Sequence, residues 1–386
     1  MLTLSKDKFG FYTVGEFKTY SKVEAIELSN RTGLPLKWDF NNLEFSTYNW
    51  AVEPIASLKE LYGQRARDIR EHYDYIVVWW SGGADSYTVL KSFVDNNLFV
   101  DEIATFHNYA GDKSWDSYLN SEIKRVAMPV AEKLLEHSPN TRFRLIDLTD
   151  YESDLFIKDD NQFDFLYKSN AQFSPNQLAR RYIREKEKDY LDLFSQGKSV
   201  CFVWGCDKPR VNLQADRRYA IQFVDVADNC VNPMTQTLNR PWEIDEFFYW
   251  SPDAKDLLCK QGHEMVRYLR NIPPQDFDSK WLSTEHNWLG GAVVDKKPWY
   301  LTNAGVHRLI YPDWNPDTYT SGKHDFLLMW SPRDNWFLRD VNSDQYKIYQ
   351  AGLEKLESIA GEQWLRPGGG IDQGLKTCVS PPLYLE

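Results

Sequence analysis

The stretch Tyr75-Ile76-Val77-Val78-Trp79-Trp80, running into Ser81-Gly82-Gly83-Ala84-Asp85-Ser86, constrains this chain more than any other. Its apolar run is rich in β-branched and aromatic side chains and reads as a strand buried on both faces, as in a parallel sheet. Two adjacent glycines then permit a tight turn at φ values that other residues avoid. Beyond Asp85 the period changes: Val89, Leu90, Phe93 and Val94 fall on one helical face, and Asn96-Asn97 closes the run. Strand, glycine turn and helix N-terminus together suit an anion. Backbone N–H groups without intrahelical partners and the positive end of the helix dipole converge there on one point.

The loop lacks the G-x-x-x-x-G-K-[ST] of a Walker A sequence and the GxGxxG of a dinucleotide site. Ser-Gly-Gly-x-Asp-Ser after a hydrophobic strand instead resembles the pyrophosphate loop (PP-loop) of the ATP pyrophosphatase, or adenine nucleotide α-hydrolase-like (HUP), superfamily. The resemblance implies an α/β fold with a mainly parallel sheet and helices on both faces. It also implies ATP and Mg²⁺ as ligands and cleavage of ATP between its α and β phosphates. Pyrophosphate would remain in the loop, and AMP would be joined to a carbonyl oxygen of a second substrate. On that reading the backbone amides of Gly82, Gly83 and Ala84 hold the β and γ phosphates. The hydroxyls of Ser81 and Ser86 add donors, and Asp85 positions Mg²⁺ or fixes the turn. The layout as a whole is also similar to bacteriophage PP-loop proteins of the phosphoadenosine phosphosulfate (PAPS) reductase-like kind.

Composition narrows the partners. A net charge of −11 argues against a general nucleic-acid footprint. No apolar run approaches the roughly 20 residues of a membrane span. The opening Met1-Leu2-Thr3-Leu4-Ser5-Lys6 lacks the apolar stretch of a signal peptide, so a cytoplasmic location is expected. The cysteines, Cys201, Cys206, Cys230, Cys259 and Cys378, are odd in number and scattered, and no C-x-x-C occurs. A disulfide framework is therefore not expected, nor the zinc or iron–sulfur sites of several PP-loop relatives.

Residues 1–65 read as an N-terminal extension, with short strands on either side of Gly15, a helix from Ser21 to Asn30, and a better helix from Ile55 to His72. Arg65, Arg67 and Arg70 on that last helix are expected to be solvated. After the loop helix, Val100–Phe106 reads as a second parallel strand that ends in His107-Asn108. Ligands of open α/β sheets sit beyond the carboxyl ends of strands, so His107 and Asn108 are candidates for reaching adenine and ribose. A long helix from Ser114, kinked at Pro129, leads to a third strand at Arg142–Leu148. Asp150 to Ala171 reads as a loop that folds over the site, and Ser174-Pro175 starts a further helix.

A fourth strand, Ser199–Trp204, ends in Gly205-Cys206-Asp207-Lys208-Pro209-Arg210. Leaving pyrophosphate carries several negative charges and calls for cations, usually with Mg²⁺. Asp85 or Asp207 is placed to hold the metal, and Lys208 and Arg210 to neutralise phosphate. A hairpin is expected over Val211–Val226. A boundary is placed near residue 240, giving a PP-loop domain over 66–240 and an α-rich C-terminal substrate or cap region over 241–386. That region carries helices from Ser251-Pro252 to Arg270 and from Ser343 to Ala360, then a loose tail after Gly368-Gly369-Gly370.

Three classes of function follow. The first is an AMP-forming ligase or amidotransferase, acting on a small-molecule or macromolecular acyl substrate with ammonia or a sulfur donor as nucleophile. Met1 is followed by Leu2, so a glutaminase with an N-terminal cysteine is not expected, and ammonia would come from solution or a partner. The second is a PAPS-reductase-like sulfonucleotide enzyme with Cys378 as nucleophile, although Lys376-Thr377-Cys378-Val379-Ser380 departs from that family's Glu-Cys-Gly-x-His. The third is a nucleotide-binding module without turnover. The loop serines and the cation cluster count against the third.

Overall fold

The computed structural model describes residues 7–107, 123–151, 154, 182–183, 185–206, 209–225, 243–271, 309–311, 313, 340–365 and 375–386. At the N-terminal end, β1 (Phe11–Val14), β2 (Phe17–Thr19) and β3 (Leu36–Asp39) form an antiparallel sheet in the order β2-β1-β3. Gly15 turns the first hairpin at φ +58°, where a side chain would be strained. Helix α1 (Lys22–Thr32) starts where the Ser21 hydroxyl accepts from the Glu24 amide and stops at Gly33 in the left-handed region. A short α2 (Asn42–Ser46) follows. Helix α3 (Leu58–His72) opens with a capping box, in which Ser57 accepts from the Glu60 amide while the Glu60 carboxylate accepts from the Ser57 amide.

The chain then builds its main sheet. The elements are β4 (Tyr75–Trp79), α4 (Ala84–Val94), β5 (Glu102–His107), a π-helical turn at Ile123–Ala127, α5 (Met128–Leu135), β6 (Arg142–Asp147), α6 (Lys188–Ser195) and β7 (Val200–Trp204). The hairpin β8 (Arg210–Leu213) and β9 (Tyr219–Gln222) precedes β10 (Glu243–Phe247). Helices α7 (Lys255–Arg270) and α8 (Asp344–Ala360) and strand β11 (Leu383–Tyr384) complete the described elements. Among the described residues, β10-β7-β4-β5-β6 form a five-stranded sheet with every pairing parallel.

The strand order shows how the sheet is wound. From β4 the chain steps outward to β5 and β6, then crosses back to add β7 and β10 on the other side of β4. Helices cover both faces. Val77 and Val78 alternate sides of the sheet, and they neighbour Phe202 and Ile103 respectively. Phe202 packs under Tyr190 of α6, ring centroids 5.2 Å apart. Ile103 lies beneath α4 and α5, where Leu90, Val94, Leu134 and Leu135 close over it. The chain therefore has the α/β architecture expected of it, with the direction of winding reversed at β4.

Four readings of the sequence change in three dimensions. The sheet does not stop at residue 240: β10 lies beyond that boundary and pairs with β7 from Glu243↔Val200 to Phe247↔Trp204. Its acids hid it. Asp245 is buried and accepts from Trp204 Nε1 at 2.7 Å, and Glu246 is buried among cations. Arg65 is not solvated but 2% exposed, its guanidinium 3.0 Å from Glu246. The stretch after 375 is not a loose tail either. Val379 bridges Val224, the Ser380 amide donates to the Phe223 carbonyl, and β11 pairs with β9. At Pro129 the expected kink takes the form of a π-helical turn immediately before α5, since proline is tolerated in a helix's first turn but not within it. The residues given to the lid loop and to the start of the next helix lie mostly outside the described residues.

Candidate active site

The Ser81–Ser86 loop leaves β4 held by hydrogen bonds on both sides. The Trp80 amide donates to the Ala104 carbonyl at 2.8 Å, which ends the strand in register with β5. Gly82 then adopts φ +78°, and Gly83 becomes the N-cap of α4 in extended conformation. The two serines brace this turn. Their hydroxyls lie 3.2 Å apart, Ser86 Oγ donates to the Gly83 carbonyl at 3.2 Å, and the Gly83 amide donates to Ser81 Oγ at 3.3 Å. Ser86 is buried while Ser81 stays exposed. Among the described residues no side chain caps α4, because its N-cap is a glycine. The amides of its first turn, Ala84 and Ser86 among them, thus keep the anion-attracting character of an unfinished helix end.

Two walls approach this end closely. On one side, a Cβ built on Gly82 would stand 3.1 Å from Ala127 Cα in the π-helical turn, and Trp80 Nε1 donates to the Ala127 carbonyl at 2.7 Å. On the other, Gly205 follows β7, and a Cβ there would lie 3.0 Å from both the Asp85 carbonyl carbon and the Ser86 amide nitrogen. The loop therefore sits in the crevice between the carboxyl ends of β4 and β7, where the sheet reverses its winding and where open α/β sheets bind ligands. Gly205 was not singled out from sequence as a contact. The signal was present, since a glycine directly after a buried strand often marks a close backbone approach.

Asp85 is held from the C-terminal part of the chain. Tyr311 OH donates to Asp85 Oδ1, and Tyr249 OH donates to the Asp85 carbonyl at 2.8 Å. A third tyrosine, Tyr62 of α3, receives Gln261 Nε2 at 2.8 Å and donates to the Ile310 carbonyl. Burial pushes all three hydroxyls above the usual tyrosine range, so they remain protonated donors. Sequence reasoning missed these tyrosines, because no spacing links residues 62, 249 and 311 to residue 85.

The other expected site residues separate. His107 is buried at the end of β5, its carbonyl accepting from the Leu148 amide. Arg210 opens β8 at 5% exposure, opposite Gln222 in the hairpin. Asn108, Asp207 and Lys208 lie outside the described residues. Cys378 is held on both sides of its peptide: its amide donates to Asp225 Oδ1, and its carbonyl accepts from the Asp225 amide at 3.1 Å.

Among the described residues no group of three His, Cys, Asp or Glu side chains gathers to hold a metal. A nucleotide's Mg²⁺ is usually held by one or two carboxylates together with substrate phosphates. Asp85 is the loop's own carboxylate. Among the described residues no helix is long and apolar enough to cross a membrane.

Fold and loop together define a doubly wound parallel α/β protein with an uncapped helix terminus at its switch point. A scan of protein-family models matches none of them to this chain, and a search of curated proteins likewise finds no match.

Proposed function

We propose that this protein is an ATP-binding enzyme of PP-loop type, which cleaves ATP to AMP and pyrophosphate and adenylates an oxygen of a carbonyl or carboxylate substrate before amidation, ligation or sulfur transfer. One observation carries the reading: Ser-Gly-Gly-Ala-Asp-Ser forms the uncapped start of α4, at the carboxyl end of the strand where the parallel sheet reverses. The amides of Gly82, Ala84 and Ser86 would receive the β and γ phosphates, aided by the helix dipole. Ser81 and Ser86 chiefly keep the turn in shape. The substrate oxygen attacks the α-phosphorus, the bond from that phosphorus to the bridging oxygen breaks, and the electron pair leaves on pyrophosphate. Mg²⁺, when bound with the nucleotide and Asp85, would neutralise part of that charge. The chain's own contribution is positioning and fixed dipoles.

Incubation with ATP and Mg²⁺, with product analysis and a parallel binding titration, tests this. Binding of Mg-ATP, with AMP and pyrophosphate as the products of any turnover, is the expected result. Formation of ADP and phosphate, or no binding of either ATP or pyrophosphate, would overturn it.

A further inference from the structure

Asp85 occupies an awkward electrostatic position. It lies in the first turn of α4, where the helix dipole favours a carboxylate, yet that carboxylate borders the place proposed for a polyphosphate. Like charges there oppose each other unless a cation or a donor takes up part of the acid's charge. The structure supplies a donor in Tyr311. Its ring is fully buried and its hydroxyl donates to Asp85 Oδ1, a charge-assisted bond of the stronger kind. Tyr249 OH takes the main-chain carbonyl of the same residue, and the two rings lie 5.8 Å apart. Side chain and backbone of Asp85 are thus both gripped by tyrosines from beyond the sheet's fourth strand.

The grip extends one residue further. Ile310, next to Tyr311, presents its carbonyl to Tyr62 of α3, and Gln261 of α7 orients that hydroxyl. Residues 310 and 311 are both completely buried. This short segment is consequently clipped at adjacent positions to α3 and to the opening turn of α4. The partners Asp85 and Tyr311 are 226 residues apart in the chain, so only the folded state brings the clip together.

We infer that Tyr311 is a positioning residue for the loop: its hydroxyl fixes the Asp85 carboxylate, so that ligand binding in the loop depends on the docking of segment 309–311. The inference rests on the PP-loop reading and deepens it. The C-terminal part of the chain then does more than border the nucleotide site, because it sets the orientation and effective charge of the loop's acid. Tyr249 supports the same arrangement through the backbone, where no substitution of Asp85 can remove it.

Tyr311→Phe tests this, since it removes one oxygen and keeps the ring. Affinity for magnesium pyrophosphate and for Mg-ATP is measured by calorimetric titration, alone and in an Asp85→Ala background. The expected result is about tenfold weaker binding in Tyr311→Phe, the size of one lost hydrogen bond to a charged group, and no further loss when it is added to Asp85→Ala. Tyr73→Phe removes another buried tyrosine hydroxyl, one that donates to Glu246 away from the loop, and should bind like wild type. A merely structural role would lower the melting temperature of both tyrosine variants without separating them in affinity. Wild-type affinity in Tyr311→Phe, or an equal penalty with and without Asp85, overturns the inference alone. A wild-type protein that binds neither ligand overturns the PP-loop reading, and the role of Tyr311 with it.

Discussion

Helices α3 and α4 pack against one another on the same side of the sheet, but their first turns are built from opposite materials. α3 carries a complete capping box from Ser57 and Glu60, and along its length Arg65 reaches a buried partner in Glu246. α4 begins at a glycine, without a side-chain cap among the described residues, and the neighbouring Gly82 and Gly205 let the backbone of Ala127 and of Asp85 approach closely. A glycine at the cap costs roughly a few tenths of a kcal/mol of helix stability against Ser or Asp. A terminus left open at that cost, in the one crevice where the sheet reverses, is a place where a ligand can complete what the sequence omits. α3 is finished by its own residues, and on the proposed function an anion would finish α4.

That contrast can be broken from either side. The largest effect is expected at α3's interior anchor. Burial pushes the Glu246 carboxyl up, but the Lys8 ammonium and the Arg65 guanidinium outweigh it and hold it below the usual carboxylate range. Glu246→Ala strands both cations in the core and should cost about 3–5 kcal/mol in urea unfolding. A loss well under 1 kcal/mol would mean that the buried ions do not anchor α3.

Gly82→Ala attacks the open terminus. A Cβ at φ +78° costs about 1–2 kcal/mol, and Ala127 backbone stands in its way, so stability should fall by about 2 kcal/mol. Pyrophosphate binding should fall with it. Retained affinity in a destabilised variant would show that this turn is not the anion site.

Ser57→Ala sharpens the comparison, because it removes a cap from α3 and touches nothing at α4. The expected cost is about 1 kcal/mol in thermal or chemical unfolding, with nucleotide affinity unchanged. Weaker binding in this variant would mean that the two helix ends do not act independently.

A pH series separates two of the sheet's buried acids, Glu246 and Glu102. Glu246, with its folded value lowered, contributes stability above the unfolded carboxylate value of about 4.3 and loses it as pH falls through the folded value. Glu102 behaves in the opposite sense: burial raises its carboxyl despite hydrogen bonds from Tyr190 and Tyr75 and the nearby Arg144. Its contribution is present below about 4.3 and lost as pH rises through the raised value. Melting curves should therefore show Glu102→Gln gaining on wild type from pH 4 to pH 8. A constant difference would refute the assignment. The smallest effect is expected at Cys378, whose backbone is tied to Asp225. Cys378→Ser should leave AMP formation at the wild-type rate, and its loss would transfer support to a sulfonucleotide reaction.

Much of the fold was legible because it is locally encoded. The apolar run at 75–80 and the glycines after it specify strand and turn through residue types alone. Ser21 and Ser343 mark helix starts, and the segment around Asp216 reads as a hairpin before any contact is known. Both helices and the hairpin stand where these signals place them. The candidate site was legible to the same depth: the loop and its place at a strand's carboxyl end follow from twelve consecutive residues. The burial of Arg65 was not, since an arginine on a helix looks solvated until its surroundings are assembled.

What the sequence determined by itself, then, is the local geometry of the loop and the parallel character of the strand that feeds it, because hydrophobic period and glycine freedom act over a few residues. Only the tertiary structure decided that Glu246, 181 positions from Arg65, would turn an acidic stretch into the fifth strand of the sheet. It alone set Gly205 against the Asp85 backbone and Tyr311 on the Asp85 carboxylate. Those choices depend on which charges and hydroxyls must share one desolvated interior, where a partner is required and its distance along the chain carries no penalty once the fold has formed.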